Sequence, residues 1–180
     1  MQSIEVLAVL TRYRWTVPAM ALMAERGGSR FSELANRLGL PRDSLSRTLE
    51  AALAAGWIVR NSGYGHPLRP EYVLTEEGVR IAQACRAIAA TQRAMDLPPD
   101  ALSRWSLPIV RLIAEGHQRF NAIERALAAA TPRAIAGSLK GLGGLSLVDR
   151  RVTDGFPPTS GYALTPRGGR LADTLIGAGL

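Results

Sequence analysis

The fold turns on one stretch, Pro41-Arg42-Asp43-Ser44-Leu45-Ser46-Arg47-Thr48-Leu49-Glu50-Ala51-Ala52-Leu53-Ala54-Ala55-Gly56-Trp57-Ile58-Val59-Arg60. Its first part, from Pro41 to about Ala55, is predicted to be helical. Leu45, Leu49, Ala52 and Leu53 recur at i, i+4, i+7 and i+8, a stripe that faces a core, and Gly56 is the C-terminal stop. At Trp57 the period changes, and Trp57-Ile58-Val59-Arg60 reads as a strand. Residues 61–70 are rich in Gly and Pro and read as a hairpin tip, with Glu71-Tyr72-Val73-Leu74 as the returning strand. Thr75-Glu76-Glu77 opens another helix, with Thr as cap and acids in the first turn. That helix is predicted to reach Met95, with Val79, Ala82, Cys85 and Ile88 on one face.

Upstream, residues 4–13 and 15–26 read as two helices. Pro18 fits a first turn, where its missing N–H is not needed. Gly27-Gly28 ends the second of these helices. Phe31 to Leu38 is a short helix, and Gly39-Leu40-Pro41 is a tight turn. The order is helix, helix, short helix, turn, helix, hairpin, helix, which describes a helix-turn-helix with a wing.

The order occurs twice. At a shift of 90 positions, half of the 180-residue length, Arg14-Trp15 meets Arg104-Trp105, Pro18 meets Pro108, and Ala24-Glu25 meets Ala114-Glu115. Leu49, Arg60, Gly65 and Pro67 meet Leu139, Arg150, Gly155 and Pro157; Tyr72, Leu74, Thr75 and Gly78 meet Tyr162, Leu164, Thr165 and Gly168. Arg30-Phe31 matches Arg119-Phe120 one residue out of step, and the extra residue is recovered in the turn before Leu45 and Ile135. A loop tolerates such a slip and a helix does not. The chain is therefore read as a tandem repeat, with residues 1–95 as one winged-helix domain and 96–180 as the other. Asp96-Leu97-Pro98-Pro99-Asp100 joins them, its prolines stopping one helix and setting up the next.

Composition narrows the function. The net charge is +7 and apolar residues make up 47%, so the chain is globular and basic. Residues 1–90 carry 11 − 8 = +3 and residues 91–180 carry 11 − 7 = +4, so neither half is acidic. Of the 22 cationic residues only Lys140 is Lys. The Arg bias fits guanine edges and phosphates, although GC-rich codon usage also favours Arg. No apolar run is long enough to span a membrane. Met1-Gln2-Ser3-Ile4-Glu5 lacks the regions of a signal peptide, so a cytoplasmic, nucleoid-associated protein of bacterial type is expected. Cys85 is the only cysteine, which rules out an internal disulfide and a cysteine-built zinc site. On its apolar helix face it reads as a buried, inert thiol.

The ordered set of motifs resembles the HxlR-type winged-helix transcription regulators. In that family a Trp helix precedes an Arg-Phe helix start, a Gly-Leu-Val-x-Arg strand follows the recognition helix, and a Pro-rich wing ends in Tyr-x-Leu-Thr-x-x-Gly. The second half shows this as Arg119-Phe120-Asn121, Leu147-Val148-Asp149-Arg150, Pro157-Pro158 and Tyr162-Ala163-Leu164-Thr165. The first half shows it as Trp15, Arg30-Phe31, Gly56 to Arg60, Pro67 and Tyr72 to Gly78. The resemblance implies a mainly α fold with small β-hairpin wings and duplex-DNA binding. Family members usually hold one such domain and form a homodimer, and many carry an N-terminal cysteine. This chain holds two domains and has no cysteine there, so a thiol switch does not carry over.

The reading helix of such a motif lies in the major groove. In the first half its outward face is Arg42, Asp43, Ser46, Arg47 and Glu50; the two Arg and Ser46 suit base edges or phosphates. In the second half the face is Arg133, Ala136, Gly137 and Lys140, which is poorer. Gly137, Gly141 and Gly143 also weaken that helix, each by about 1 kcal/mol relative to Ala, while Thr131-Pro132 is a good start. The wings add Arg60, His66 and Arg69 in the first half, and Arg150 and Arg151 in the second, suited to phosphates or the minor groove. His66 and His117 lack a second ligand within reach, so no metal is expected, and His117 is expected to be exposed. The aromatics read as core or hairpin anchors.

Three functions compete. The first is a sequence-specific double-stranded DNA-binding transcription regulator whose two domains form a pseudo-dimer within one chain, or pair further as a homodimer. The alternative is a winged-helix module that binds a protein partner, with weak or no DNA binding. Enzyme chemistry is not expected. There is no Gly-rich phosphate loop after a strand and no nucleophile with a His and acid, and Gly141-Leu142-Gly143-Gly144 reads as a weakened helix end. No cofactor is implied, and no residue names an effector.

Overall fold

A computed structural model describes residues 3–61, 71–153 and 159–180. In chain order the elements are α1 (Ser3–Leu10), α2 (Thr16–Met23), β1 (Gly28–Ser29), α3 (Phe31–Leu38), α4 (Arg42–Ala54), β2 (Ile58–Arg60), β3 (Tyr72–Leu74) and α5 (Glu76–Ala94). Then come α6 (Ser106–Ala114), α7 (Phe120–Ala126), α8 (Pro132–Gly144), β4 (Val148–Thr153), β5 (Thr159–Leu164) and α9 (Pro166–Gly177). The molecule is mainly helical with small antiparallel hairpins, a winged helix-turn-helix made twice. The chain divides into two compact units, Arg12–Pro99 and Met1–Thr11 with Asp100–Leu180.

The first unit packs α2 along α5 and sets α3 and α4 against α2. Met20, Met23, Leu34, Leu45, Ile81 and Ile88 form its core, each worth about 1.5–3 kcal/mol of apolar burial. Trp57 and Ile58 close the core beneath the hairpin. The sheet order is β1-β3-β2, with Arg60 opposite Tyr72 and Gly28 opposite Val73. Gly28, read from sequence only as part of a helix end, thus also starts a third strand. Gly28 is required there because a Cβ would run into the carbonyl oxygen of Tyr72.

The second unit repeats this with α6, α7, α8, the β4–β5 hairpin and α9. Its reading helix is as long as that of the first, 13 residues in each. The glycines do not break α8; Thr131 Oγ1 accepts the Ala134 N–H at 3.2 Å and Pro132 sits in the first turn. The one-residue slip lies between α7 and α8, where α7 ends at Ala126 and an irregular turn precedes Thr131. No counterpart of β1 forms among the described residues. One bond remains in its place, Tyr162 N–H to Gln118 O at 2.7 Å.

One device is identical in both. Thr75 Oγ1 accepts the Gly78 N–H at 2.9 Å and donates to Gly56 O at 2.7 Å. Thr165 Oγ1 accepts the Gly168 N–H at 3.0 Å and donates to Ser146 O at 2.7 Å. One hydroxyl caps the helix after the wing and ties it to the end of the reading helix. Gly78 and Gly168 rest against the carbonyls of Trp57 and Leu147, so closely that a Cβ at either would overlap them. The Thr-x-x-Gly spacing is the sequence form of this lock.

The N-terminal helix departs from the sequence boundary at residue 95. α1 groups with residues 100–180 and packs on α6, burying Val6, Leu7 and Leu10. The reason is apolar demand. α6 buries Leu107, Pro108, Ile109, Val110, Leu112 and Ile113, and a helix apolar all round must be covered all round. Chain adjacency carries no weight in that match.

Candidate nucleic-acid interface

α4 presents one polar face. Leu45, Thr48, Leu49 and Ala52 point into the core, which leaves Arg42, Asp43, Arg47 and Glu50 exposed and Ser46 half-buried. The turn before it is made by Gly39, whose φ of 63° is the left-handed conformation that ends α3. Two of the candidate arginines rest on aromatic rings. The Arg42 guanidinium lies 5.7 Å from the Phe31 ring centroid, and that of Arg60 lies 5.8 Å from Tyr72. Stacking restrains a guanidinium while its N–H edges stay available to acceptors.

Several acidic side chains of the unit are engaged away from the reading face, where Asp43 and Glu50 stay exposed. Glu33 pairs with Arg26 at 3.3 Å, Glu25 with Arg37 at 3.1 Å and Glu77 with Arg80 at 2.6 Å. The Arg80 hydrogen bond lowers the Glu77 carboxyl below its ordinary pKa. Glu71 Oε2 accepts the Phe31 N–H at 3.3 Å at the start of α3. Burial, seconded by the Glu71 charge, raises the Tyr72 phenol above its ordinary pKa, so it stays neutral beside Arg60. Among the described residues no carboxylate pairs with Arg42, Arg47 or Arg60. The first unit thus leaves its reading-face cations open to an outside anion.

The second unit differs side chain by side chain. On α8, Arg133, Ala136, Gly137 and Lys140 are exposed, as are Arg150 and Arg151 on β4. None of these cations is ion-paired among the described residues. An open groove of about 320 Å³ runs between α8 and the wing, lined by Leu139, Lys140, Gly143, Arg150 and Tyr162. At the matching positions α4 has Glu50 for Lys140 and Leu53 for Gly143. The small side chains that impoverish α8 as a reader therefore open a cationic hollow beside the wing.

His66 and Arg69 lie outside the described residues. Cys85 is wholly buried, and burial pushes its thiol far up; Leu175, also buried, holds the matching place in the second unit. Among the described residues no group of His, Cys, Asp and Glu could hold a metal, and no helix is long and apolar enough to cross a membrane. Gly141 to Gly144 is helical, as read. His117 is half-buried, where exposure was expected: its N–H donates to Leu112 O at 2.9 Å and holds the residue against the end of α6. Sequence reasoning also missed the ring supports of Arg42 and Arg60, for which the only signal was the repeated Phe and Tyr positions.

Comparison with known proteins agrees with the doubling. A family model described as HxlR-like helix-turn-helix matches residues 10–95 and again residues 102–177. No curated protein matches. A solved structure of a protein assigned to the MarR family of transcriptional regulators, from Enterococcus faecalis V583, is similar at 26% identity. The match covers 57% of this chain and 82% of that one, with a TM-score of 0.39.

Proposed function

We propose, since the chain belongs to the HxlR-like helix-turn-helix family through both of its halves, a division of labour within one DNA-binding transcription regulator. DNA binding and transcription regulation are the family's role, and the two units of this chain share it unequally. The first unit reads sequence, with Arg42, Ser46 and Arg47 on base edges or adjacent phosphates, Asp43 beside them, and Arg60 on the backbone. His66 and Arg69, wing residues by the sequence reading alone, are assigned to the backbone with it. The second unit grips phosphates through Arg133, Lys140, Arg150 and Arg151 and reads little. Two units in one chain then serve as a homodimer would, on two major-groove faces about 34 Å apart.

The observation that carries this reading is the contrast of the two faces. α4 holds two exposed arginines and a serine in the first two turns, while α8 offers alanine and glycine between cations. Side chains specify bases, and cations without such side chains only position. Selection from a random duplex pool, followed by binding between about 50 and 200 mM salt, tests it. One well-defined half-site and a steep fall of affinity with salt are expected. A flat salt response on every selected fragment contradicts DNA binding.

The small residues on the outward face of α8 favour one other reading, a second unit that docks a protein partner. Charge reversal of Arg42 and Arg47 that leaves regulation intact would favour it.

A further inference from the structure

A cavity of about 270 Å³ opens inside the first unit, between α2, the end of α3 and the last turns of α5. Pro18, Ala21 and Leu22 line it from α2, Leu38 from α3, Ala89 and Arg93 from α5, and Leu97 from the segment beyond. The repeat explains why it is there. In the second unit α1 lies on α6, and Pro108 and Leu112 are buried. Their counterparts Pro18 and Leu22 are only half-buried.

The segment matching residues 5–9 of α1 is 95–99, in which Leu97 stands for Leu7. Pro98-Pro99 cannot continue a helix, and α5 ends at Ala94. Leu97 therefore reaches the α2 face without the helical neighbours that Leu7 has. The cavity is the space those missing turns leave.

Its walls are aliphatic. Buried Gln92 donates to Pro98 O at 3.4 Å, and Arg93 at the rim is exposed. No carboxylate among the described residues pairs with Arg93. An apolar hollow with a few converging polar groups is the usual form of a small-molecule site, and its volume admits a small ligand. Leu38 is the last residue of α3, directly before the Gly39-Leu40-Pro41 turn that leads into α4.

We propose that this cavity binds a small amphipathic organic anion, an aromatic or short aliphatic carboxylate. The apolar body lies among Pro18, Leu22, Ala89 and Leu97, and the carboxylate meets Arg93. Through Leu38 the occupied cavity alters the turn that holds the reading helix. The site itself does not depend on DNA binding; the coupling rests on the function proposed above.

Methyl-resolved NMR of the full chain, titrated with sodium octanoate and sodium benzoate, tests the site, with octan-1-ol as the neutral control. Saturable shifts of the Ala21, Leu22 and Ala89 methyls are expected with at least one carboxylate. Arg93→Gln should weaken that carboxylate about two- to fivefold, the size of an exposed ion pair, and leave octan-1-ol unchanged. Ala89→Phe and, separately, Ala21→Phe should fill the cavity and abolish the shifts while the remaining spectrum stays folded. Absence of saturable shifts with both carboxylates, or shifts that survive both filling variants, would overturn the site. Equal weakening of octanoate and octan-1-ol by Arg93→Gln, or no weakening of either, would overturn the anion class. DNA affinity unchanged at a probe concentration that saturates the shifts would overturn the coupling.

Discussion

The two winged units share a frame and differ in what hangs on it. Both carry a 13-residue reading helix, a wing with Arg opposite Tyr, and the Thr-Gly lock behind it. Among the described residues only the first sets serine and two arginines together on the first two turns of its reading face, and only its candidate DNA-contacting arginines, Arg42 and Arg60, rest on aromatic rings. Only the second has its Trp helix covered by α1. The comparison separates what the fold needs from what the site needs. Positions that match across the repeat are mostly backbone geometry and core. Positions that differ are on the reading face or at the ends of the repeats.

If that separation is right, equivalent glycines should respond alike and to a large degree. Gly78→Ala and Gly168→Ala each force a Cβ against a backbone carbonyl. Each should cost about 3 kcal/mol, the upper range of overpacking, seen as a lower midpoint in urea unfolding. A variant that loses nothing would break the claim of a shared lock. The threonines above them should follow at smaller size, with Thr75→Ala and Thr165→Ala each losing about 1–2 kcal/mol of cap stability.

Opposite signs are expected where the units differ. Gly56 ends its reading helix at a φ of 72°, and Ser146 takes the same place at 54°. Ser146→Gly should gain about 1 kcal/mol and Gly56→Ser should lose about as much, because a side chain in the left-handed region is strained. On α8, Gly137 and Gly141 have open space where a Cβ would stand. Gly137→Ala and Gly141→Ala should each stabilise by about 0.5–1 kcal/mol. The same substitution thus reverses sign between Gly168 and Gly137, a contrast that one set of thermal melts checks.

Much of this was legible in the residues. Helical spacing placed α3 at its observed bounds and α4 within a residue of them, and the 90-residue register placed the second copy. Other features were not legible, for physical reasons. β1 is two residues long, too short for any periodicity. The allegiance of α1 depends on a long-range apolar match to α6, which no local pattern encodes. Supports such as Phe31 under Arg42 are distances between side chains on separate elements. The cavity beside Leu38 exists because helical turns are absent, and an absence becomes visible only when the two units are compared in space.

The central claim is that the two reading faces do different work, and DNA affinity measured with matched charge reversals tests it most directly. Arg42→Glu with Arg47→Glu should weaken a selected site about 100-fold or more and erase discrimination between it and random duplex, since each base-reading Arg is worth about 1–3 kcal/mol. Arg133→Glu with Lys140→Glu should weaken selected and random duplex by the same factor and make the salt dependence shallower by about one contact per cation. Equal loss of discrimination from both pairs, or from neither, would contradict the account.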